Sequence, residues 1–249
     1  MTITSVKNDN VRVLRSLKTG KGRKETGLHL AEGERLVLEA IDSGAAPETV
    51  LVAEWNTTAA AKLKERGVDF ISVTGEVMKA VCDTDSPQGV CAALKTPQLA
   101  PPSDYPGELI IALDRLQDPG NLGTVLRTAD AFGAAGLLIG EGCTDPFSCK
   151  AVRSAMGSTY HIPIWKGDLA HELDRLAEQG FGLVCGHLAG GETLPDLPEN
   201  RVLVIGNEAN GASSEVAEKC ALYRLPMRGR AESLNAAVAA AILIYKLTE

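Results

Sequence analysis

The stretch that decides the fold is RVLVIGNEANG, residues 201–211, in which an apolar run ends at a glycine. A second short apolar run, residues 222–225, ends at Pro226, and an alanine-rich helix is expected over residues 234–247. Two strand ends, each followed by a polar loop containing glycine, therefore lie close in sequence to a helix N-terminus. In open α/β sheets ligands bind where the strands end. The segment predicts a site for a flat, polar cofactor.

Strands and helices alternate in two blocks along the chain. Residues 108–249 hold the stronger block, which begins with Leu109–Leu113, an apolar run typical of a parallel strand covered on both faces. A short edge strand is expected at residues 162–165. Residues 1–95 alternate more weakly and predict a small α/β domain. Between the blocks, residues 96–107 contain four of the twelve prolines, so we expect an extended linker there.

Composition bounds the class of protein. Of the 249 residues, 45% are hydrophobic and 23% are charged, which predicts a folded protein with a sizeable core. No apolar run approaches the roughly 18 residues that a membrane span needs. The first residues lack the basic and apolar regions of a signal peptide. Six scattered cysteines without a C-x-x-C motif favour a reduced, cytoplasmic protein with no metal site.

Basic residues are concentrated at the N-terminus, although the net charge is −7. Residues 1–24 hold seven basic side chains and one acidic side chain, a balance of +6. A basic arm on an acidic body is typical of contact with a phosphate backbone. The alternative is a solvated amphipathic helix followed by a polar turn, and charge alone slightly favours it. Residues 18–27, rich in glycine, are expected to form an exposed basic loop.

The helix that follows Asp118 holds a candidate ligand-binding arginine. Asn121 is expected to cap its first turn, where backbone N–H groups lack partners. Arg127 lies off the apolar stripe, with a glycine and a threonine one turn earlier, so a phosphate or sugar could approach it. A surface arginine paired with Asp130 is the simpler explanation. The glycine spacing is not G-x-G-x-x-G, which argues against dinucleotide binding.

Two further polar side chains fall within the opening stretch. Glu208 projects from the glycine loop after the strand, although an ordinary strand-to-helix turn explains the loop as well. Ser233 is expected to be the N-cap of the last helix, which leaves Asn235 in its first turn, able to reach a ligand. This helix carries one apolar stripe, Leu234, Val238, Ala241, Ile242 and Tyr245, and its alanine-rich sides allow close approach of the sheet or a second subunit.

Taken in order, three segments resemble the SpoU/TrmH-type RNA ribose 2′-O-methyltransferases of the SPOUT superfamily. They contain DPGNLG and RTA within residues 118–129, VIGNE and a glycine within 204–211, and LPM, a glycine and SLNAA within 225–237. The segment RSAMG, from Arg153 to Gly157, resembles the helix between the first two. The resemblance spans residues 109–247. More loosely, residues 1–95 resemble the family's substrate-binding domain, through RK at 23–24, AEG at 31–33 and PQG at 87–89.

The resemblance implies a SPOUT domain with a deep trefoil knot in its parallel sheet and S-adenosylmethionine bound within the knot, held mainly by backbone groups. It also implies a homodimer through the knot region. After the glutamate the family commonly has a glycine, whereas this chain has Ala209-Asn210, which puts the path of that loop in question. Carried over residue by residue, the cofactor-binding positions are Gly206, Leu225, Met227, Ser233 and Leu234.

The implied reaction is methylation of a ribose 2′-hydroxyl in structured RNA. The N-terminal domain favours ribosomal RNA over transfer RNA. Arg127 would stabilise the developing alkoxide, because an arginine stays protonated and makes a poor base. No metal is required. The resemblance assigns the orientation of Arg127 and the ribose to Asn121, Glu208 and Asn235, and contact with RNA to Arg23, Lys24 and Arg153.

Two other classes of protein remain open from the sequence. One is a nucleotide-dependent oxidoreductase, although the dinucleotide fingerprint is missing. The other is a non-catalytic RNA-binding or assembly factor with the same fold. Binding of S-adenosylmethionine rather than NAD separates the first from the methyltransferase, and methyl transfer to RNA separates the second.

Overall fold

The computed structural model describes residues 2–249, which form two compact units. Unit 1 contains the chain up to Pro97 together with Asp145–Tyr160. Unit 2 contains Gln98–Thr144 and His161–Glu249. The segment 145–160 therefore packs with the N-terminal residues, although in sequence it lies inside the predicted C-terminal domain.

Unit 1 is a five-stranded sheet with helices around it. Its strand order is β1-β4-β3-β5-β2, and β5 runs antiparallel to both of its neighbours. The strands are β1 Thr2–Ile3, β2 Leu28–Glu32, β3 Pro47–Ala53, β4 Ile71–Val73 and β5 Val90–Lys95. The helices are α1 Asp9–Ser16, α2 Gly20–Thr26, α3 Glu34–Asp42, α4 Thr57–Glu65, α5 Gly75–Val81 and, from the later segment, α7 Cys149–Ala155.

Helix α2 replaces the exposed loop expected at residues 18–27, so that prediction was wrong. Thr19 caps the helix by accepting a hydrogen bond from the Gly22 amide. A Cβ at Gly22 would lie 2.1 Å from the carbonyl oxygen of Ser16, so glycine is required by packing here, whereas in sequence it suggests flexibility. Gly27, at φ 67°, ends the helix in the left-handed conformation typical of a helix C-terminus.

His29 on β2 lies in the interior of unit 1, 1% exposed. Its Nδ1 lies 3.3 Å from the Thr96 hydroxyl, and its Nε2 lies 3.1 Å from the Tyr160 hydroxyl. Burial lowers the pKa of His29 to about 4, with Asp145 opposing the shift and Arg23 adding to it. The imidazole is therefore neutral in the folded protein at neutral pH.

This burial predicts a loss of stability in mild acid. Between about pH 6.5 and pH 4 the unfolded chain binds a proton at this histidine and the native state does not, so the free energy of unfolding falls as pH falls. A shift of this size corresponds to about 3 kcal/mol across the window. Urea unfolding of wild type and His29→Gln at pH values at both ends of the window measures this loss of stability. The free energy of unfolding of His29→Gln should depend less on pH than that of wild type. The control variant, His171→Gln at an exposed position, should show the wild-type pH dependence. An equal slope in all three proteins contradicts the prediction.

Unit 2 is a six-stranded sheet in the order β11-β9-β10-β6-β7-β8, and every pairing is parallel. The predicted α/β class with a parallel C-terminal sheet is confirmed, and the expected edge strand is β8. The strands are β6 Leu109–Leu113, β7 Gly136–Ile139, β8 Ile164–Lys166, β9 Gly182–Gly191, β10 Arg201–Ile205 and β11 Ala221–Tyr223. The helices are α6 Pro119–Ala131, α8 Leu169–Glu178, α9 Ser214–Ala217 and α10 Ala236–Thr248.

The proline-rich segment from Gln98 onward is irregular but fixed against unit 2. Its Leu99 carbonyl accepts a hydrogen bond from the backbone N–H of Lys166, in edge strand β8, at 2.6 Å. Tyr105 donates its hydroxyl to buried Glu172 on α8 at 2.7 Å. Arg175 of the same helix donates to the carbonyl oxygens of Pro102 and Ser103, at 2.8 Å each. This part of the expected linker covers a helix and a sheet edge, so it belongs to the fold of unit 2.

Candidate functional site

Helix α6 starts beside the end of β6, with Asp118 as its N-cap. The Asp118 carboxylate accepts a hydrogen bond from the Asn121 amide N–H at 2.8 Å, and Pro119 occupies the first helical position. The expectation that Asn121 caps this helix was therefore wrong. Because aspartate performs the capping, the side chain of Asn121 is available for contacts outside the helix.

The last helix, α10, begins two residues later than expected, and its N-cap is Asn235, which corrects the assignment to Ser233. The side-chain oxygen of Asn235 accepts hydrogen bonds from the amides of Ala237 and Val238, at 2.9 and 3.3 Å. Its side-chain nitrogen donates to the side-chain oxygen of Asn121 at 3.0 Å. Asn235 thus caps the N-terminus of α10 and connects it to α6.

Glu208 is the third member of this hydrogen-bonded group, after Asn235 and Asn121. Its Oε1 accepts hydrogen bonds from the Asn121 side chain at 3.0 Å and from the Asp118 amide at 3.2 Å, and its Oε2 accepts from the Gln117 amide at 3.2 Å. Burial alone would raise the pKa of Glu208, but these hydrogen bonds hold that pKa below its ordinary value. Asn235, Asn121 and Glu208 therefore form a polar row whose end is an ionised carboxylate.

Arg127 lies exposed on α6, two turns after Asn121. Within residues 2–249 it has no hydrogen bond or ion pair with another residue. The simpler explanation, a pair with Asp130, is not realised, because Asp130 accepts from His161 Nδ1 at 2.7 Å. The guanidinium is therefore available to a ligand, and its catalytic role stays a prediction.

A cavity of about 490 Å³ opens where β10 and β11 end, beside the middle of β9. All five predicted cofactor positions line it, as does Glu208 from the polar row. A Cβ at Gly206 would lie 2.1 Å from the Ala212 nitrogen, so only glycine permits this approach of two backbone segments. The walls are completed by residues that the sequence did not single out, Gly186, His187 and Leu188.

The loop with the unusual Ala209-Asn210 has a regular hydrogen-bonded path. The side-chain oxygen of Asn207 accepts from the amides of Ala209 and Asn210 at 3.0 and 3.2 Å, and Asn207 also pairs its backbone with Gly211. Gly211 adopts φ 66°, which favours glycine. The left-handed residue thus falls at Gly211, and the two residues before it are held by Asn207.

The three predicted RNA-contact residues lie in unit 1 and have different environments. Arg23 is 9% exposed, and it donates to the Asp145 carboxylate at 2.8 Å and to the Leu17 carbonyl at 2.8 Å. Arg153 is partly exposed and contacts Asp83 at 3.1 Å. Lys24 is exposed on α2. Of these three residues, Lys24 is the one that is exposed and has no acidic partner among the described residues. Contact with RNA stays a prediction for all three.

The apolar stripe predicted on α10 faces away from the core of unit 2. Four of its members, Leu234, Val238, Ile242 and Tyr245, are 39–50% exposed. The opposite side of the helix is buried instead, through Ala236, Ala237, Ala240, Leu243, Ile244 and Leu247. Phe132, at the end of α6, contacts the Tyr245 ring with centroids 5.9 Å apart and extends the exposed surface. Unit 2 thus presents a continuous apolar surface.

Two features are absent from the described residues, 2–249. In this range no group of three or more His, Cys, Asp and Glu side chains is arranged to hold a metal ion. Over the same residues, no helix is both long and apolar enough to cross a lipid bilayer.

Comparison with known proteins identifies related sequences and structures. The SpoU rRNA Methylase family matches residues 108–245, and the MRM3-like substrate binding domain matches residues 8–92. The 23S rRNA (guanosine(2553)-2′-O)-methyltransferase RlmP of Bacillus subtilis is 37% identical over 98% of each chain. The AdoMet-bound rRNA methyltransferase from Sinorhizobium meliloti is 36% identical, with a TM-score of 0.87 over 99% of this chain and 97% of that one. AviRb from Streptomyces viridochromogenes, in complex with AdoMet, is 27% identical with a TM-score of 0.87 over 97% of each chain.

Proposed function

The chain belongs to the SpoU rRNA methylase family, and from that premise we propose that it methylates a ribose 2′-hydroxyl of ribosomal RNA, using S-adenosylmethionine. The observation that carries the proposal is the polar row Asn235–Asn121–Glu208, which ends at the wall of the 490 Å³ cavity. The row connects two helix N-termini to the loop after β10, so it fixes the part of the site that a ribose would meet.

The residues of the cavity fit this cofactor. Leu225, Met227 and Leu234 supply apolar walls for an adenine ring, and the close backbone at Gly206 supplies hydrogen-bonding groups without side chains. Relatives with bound AdoMet support the same assignment. When bound, S-adenosylmethionine supplies an electrophilic methyl group on a positively charged sulfur.

The residues of the chain must position the ribose and stabilise negative charge on its oxygen. A 2′-hydroxyl is a poor nucleophile, so its proton has to leave as the new O–C bond forms. Arg127 is already protonated, and the proton therefore passes to an RNA phosphate or to water. The guanidinium stabilises the developing alkoxide, and Asn121 and Glu208 hold the sugar in line.

Transfer of a labelled methyl group tests the proposal directly. The protein is incubated with S-adenosylmethionine and with ribosomal RNA from its own host, both free and in ribosomal subunits, and 2′-O-methylated positions are mapped. We expect one strongly labelled nucleotide. A protein that binds the cofactor and labels none of these RNAs would refute the proposed activity. Transfer RNA from the same host serves as the comparison substrate.

We propose that RNA contacts the exposed basic residues of α1 and α2. Each phosphate that a lysine neutralises releases counterions, so replacing Lys21 and Lys24 by glutamine should weaken RNA binding and flatten its salt dependence by about one to two units of slope. The matched control replaces Lys62 and Lys64 on α4. Binding of S-adenosylmethionine should be unchanged in both proteins. Equal salt slopes for the two double variants would remove this surface from the RNA interface.

We also propose that the protein is a cytoplasmic homodimer with a deep trefoil knot in unit 2. The apolar surface on α10 supports the dimer, since a surface of this kind is typical of a protein interface. Val238→Glu should then produce monomers in sedimentation, and an unchanged dimer contradicts this interface.

The all-parallel sheet and the similarity to solved members support the knot. Stretching a knotted chain should leave it shorter than its full contour length, whereas full extension contradicts the knot.

A further inference from the structure

Trp55 of unit 1 is 58% exposed, although tryptophan is among the most costly side chains to leave in water. It lies in the turn between β3 and α4. The six-membered part of its indole covers Gly89, where a Cβ would lie 2.6 Å from the ring. Gly89 has φ 82°, a conformation that favours glycine. At the five-membered part of the indole, a Cβ at Gly75 would lie 3.8 Å from the ring nitrogen. One face of the ring thus rests on the backbone.

The other tryptophan of the chain shows the contrast. Trp165 is 8% exposed and packs edge-on against Tyr105, with centroids 5.2 Å apart. Trp165 belongs to a hydrophobic cluster of unit 2, whereas the clusters identified among residues 2–249 do not include Trp55. The indole of Trp55 therefore packs one face on the backbone at Gly89 and contributes little to the core. Its opposite face is open to a flat ligand.

The charges around Trp55 select the kind of ligand. Residues 25–97 contain twelve acidic and six basic side chains, and exposed Glu54 and Glu76 directly neighbour Trp55 and Gly75 in sequence. Such surroundings repel a phosphate. They do not repel the face of a nucleobase, and carboxylates accept hydrogen bonds from the amino groups of bases. The matched substrate-binding domain, residues 8–92, includes this surface.

We propose that Trp55 stacks on an unpaired nucleobase of the RNA substrate. This inference rests on the proposed function, because it takes RNA as the substrate. Single-stranded bases are commonly bound by stacking on aromatic side chains. The basic helices would hold the phosphate backbone, and Trp55 would hold a base that is not in a duplex. Substrates with an unpaired nucleotide are therefore preferred over continuous duplexes.

Fluorescence can follow this contact alone, because Trp165→Phe leaves Trp55 as the single tryptophan. A short single-stranded oligo(A) should quench and shift the emission of Trp55, and a fully paired RNA hairpin with a closed loop should do so much less. Equal quenching by the two RNAs, or none by either, overturns the proposal. An oligo-arginine peptide is the third probe. Quenching by the peptide and not by RNA would replace the nucleobase with a basic protein segment as the occupant.

Affinity for host ribosomal RNA supplies a second readout. Trp55→Leu should weaken binding about tenfold, within the range measured for base stacking on an aromatic ring, and Trp55→Phe should recover most of the loss. The salt slope should stay at its wild-type value in both, unlike that of the Lys21 and Lys24 double variant. Unchanged affinity in Trp55→Leu overturns the inference while wild type still methylates RNA. If wild type itself methylates no RNA, the proposed function has failed instead.

Discussion

Replacing Arg127 by alanine is expected to lower the rate of methyl transfer by at least about a hundredfold, because one donor to a developing oxyanion is worth that much in a desolvated site. Arg127 is exposed on α6 and, within residues 2–249, its guanidinium has no protein partner. Its removal leaves no buried group unsatisfied, so the fold should be unaffected. Single-turnover methyl transfer to ribosomal RNA measures the loss.

Binding of S-adenosylmethionine separates this effect from a damaged cavity. The cavity lining does not include Arg127, so the dissociation constant of the cofactor should be the same in Arg127→Ala as in wild type. Arg127→Lys keeps the charge but loses the planar fork, and an intermediate rate is expected. Arg66→Ala, which removes an arginine at the end of α4 that pairs with Asp42 of α3, is the matched control and should keep full activity. A rate for Arg127→Ala within a fewfold of wild type would exclude Arg127 from catalysis.

Replacing Gly206 by alanine is expected to weaken binding of S-adenosylmethionine by about tenfold to a hundredfold, the effect of overpacking by one to a few kcal/mol. The added Cβ would lie 2.1 Å from the Ala212 nitrogen and 2.2 Å from the Gly211 carbonyl carbon. Both are backbone atoms, which cannot rotate aside as a side chain does. The cavity wall between Gly206 and Gly211 must therefore shift.

The same change at Gly229 is the matched control. Gly229 lies in the loop before α10, its φ is not positive, and no atom lies within 4 Å of an added Cβ. Gly229→Ala should therefore bind the cofactor as wild type does. Calorimetric titration gives the affinities, and thermal unfolding shows whether Gly206→Ala retains its fold. Equal affinities in the two variants would mean that the close approach at Gly206 does not shape the cofactor site.

The parallel sheet was predictable because β6 and β10 are almost wholly apolar and end at recognisable loops. The cavity was predictable for a similar reason, since Gly206 directly follows a strand. The middle of β9 was missed as the third wall, because Gly186-His187-Leu188 lies within a strand and contains only one glycine and no conspicuous polar cluster. Strand order decides which ends are neighbours, and periodicity does not reveal strand order.

Errors at helix starts had a common physical origin. Asp118 and Asn121, like Ser233 and Asn235, are both acceptable capping residues, and tertiary contacts decide between them. In α6, capping by Asp118 leaves the side chain of Asn121 available for the polar row. In α10, Asn235 is itself the cap and also joins the row. In α2 the glycine at position 22 was read as a sign of flexibility, but its contact with Ser16 shows that it is needed for close packing.

The division of unit 1 into two stretches of sequence has a consequence for the order in which the chain folds during synthesis. Residues up to Pro97 leave the ribosome first, but Cys149 belongs to one of their hydrophobic clusters, and Tyr160 packs against another. The hydrogen bond of His29 to Tyr160 and that of Arg23 to Asp145 likewise form only after the later residues have been synthesised. The N-terminal unit can therefore mature only after the first strands of the unit behind it have been translated.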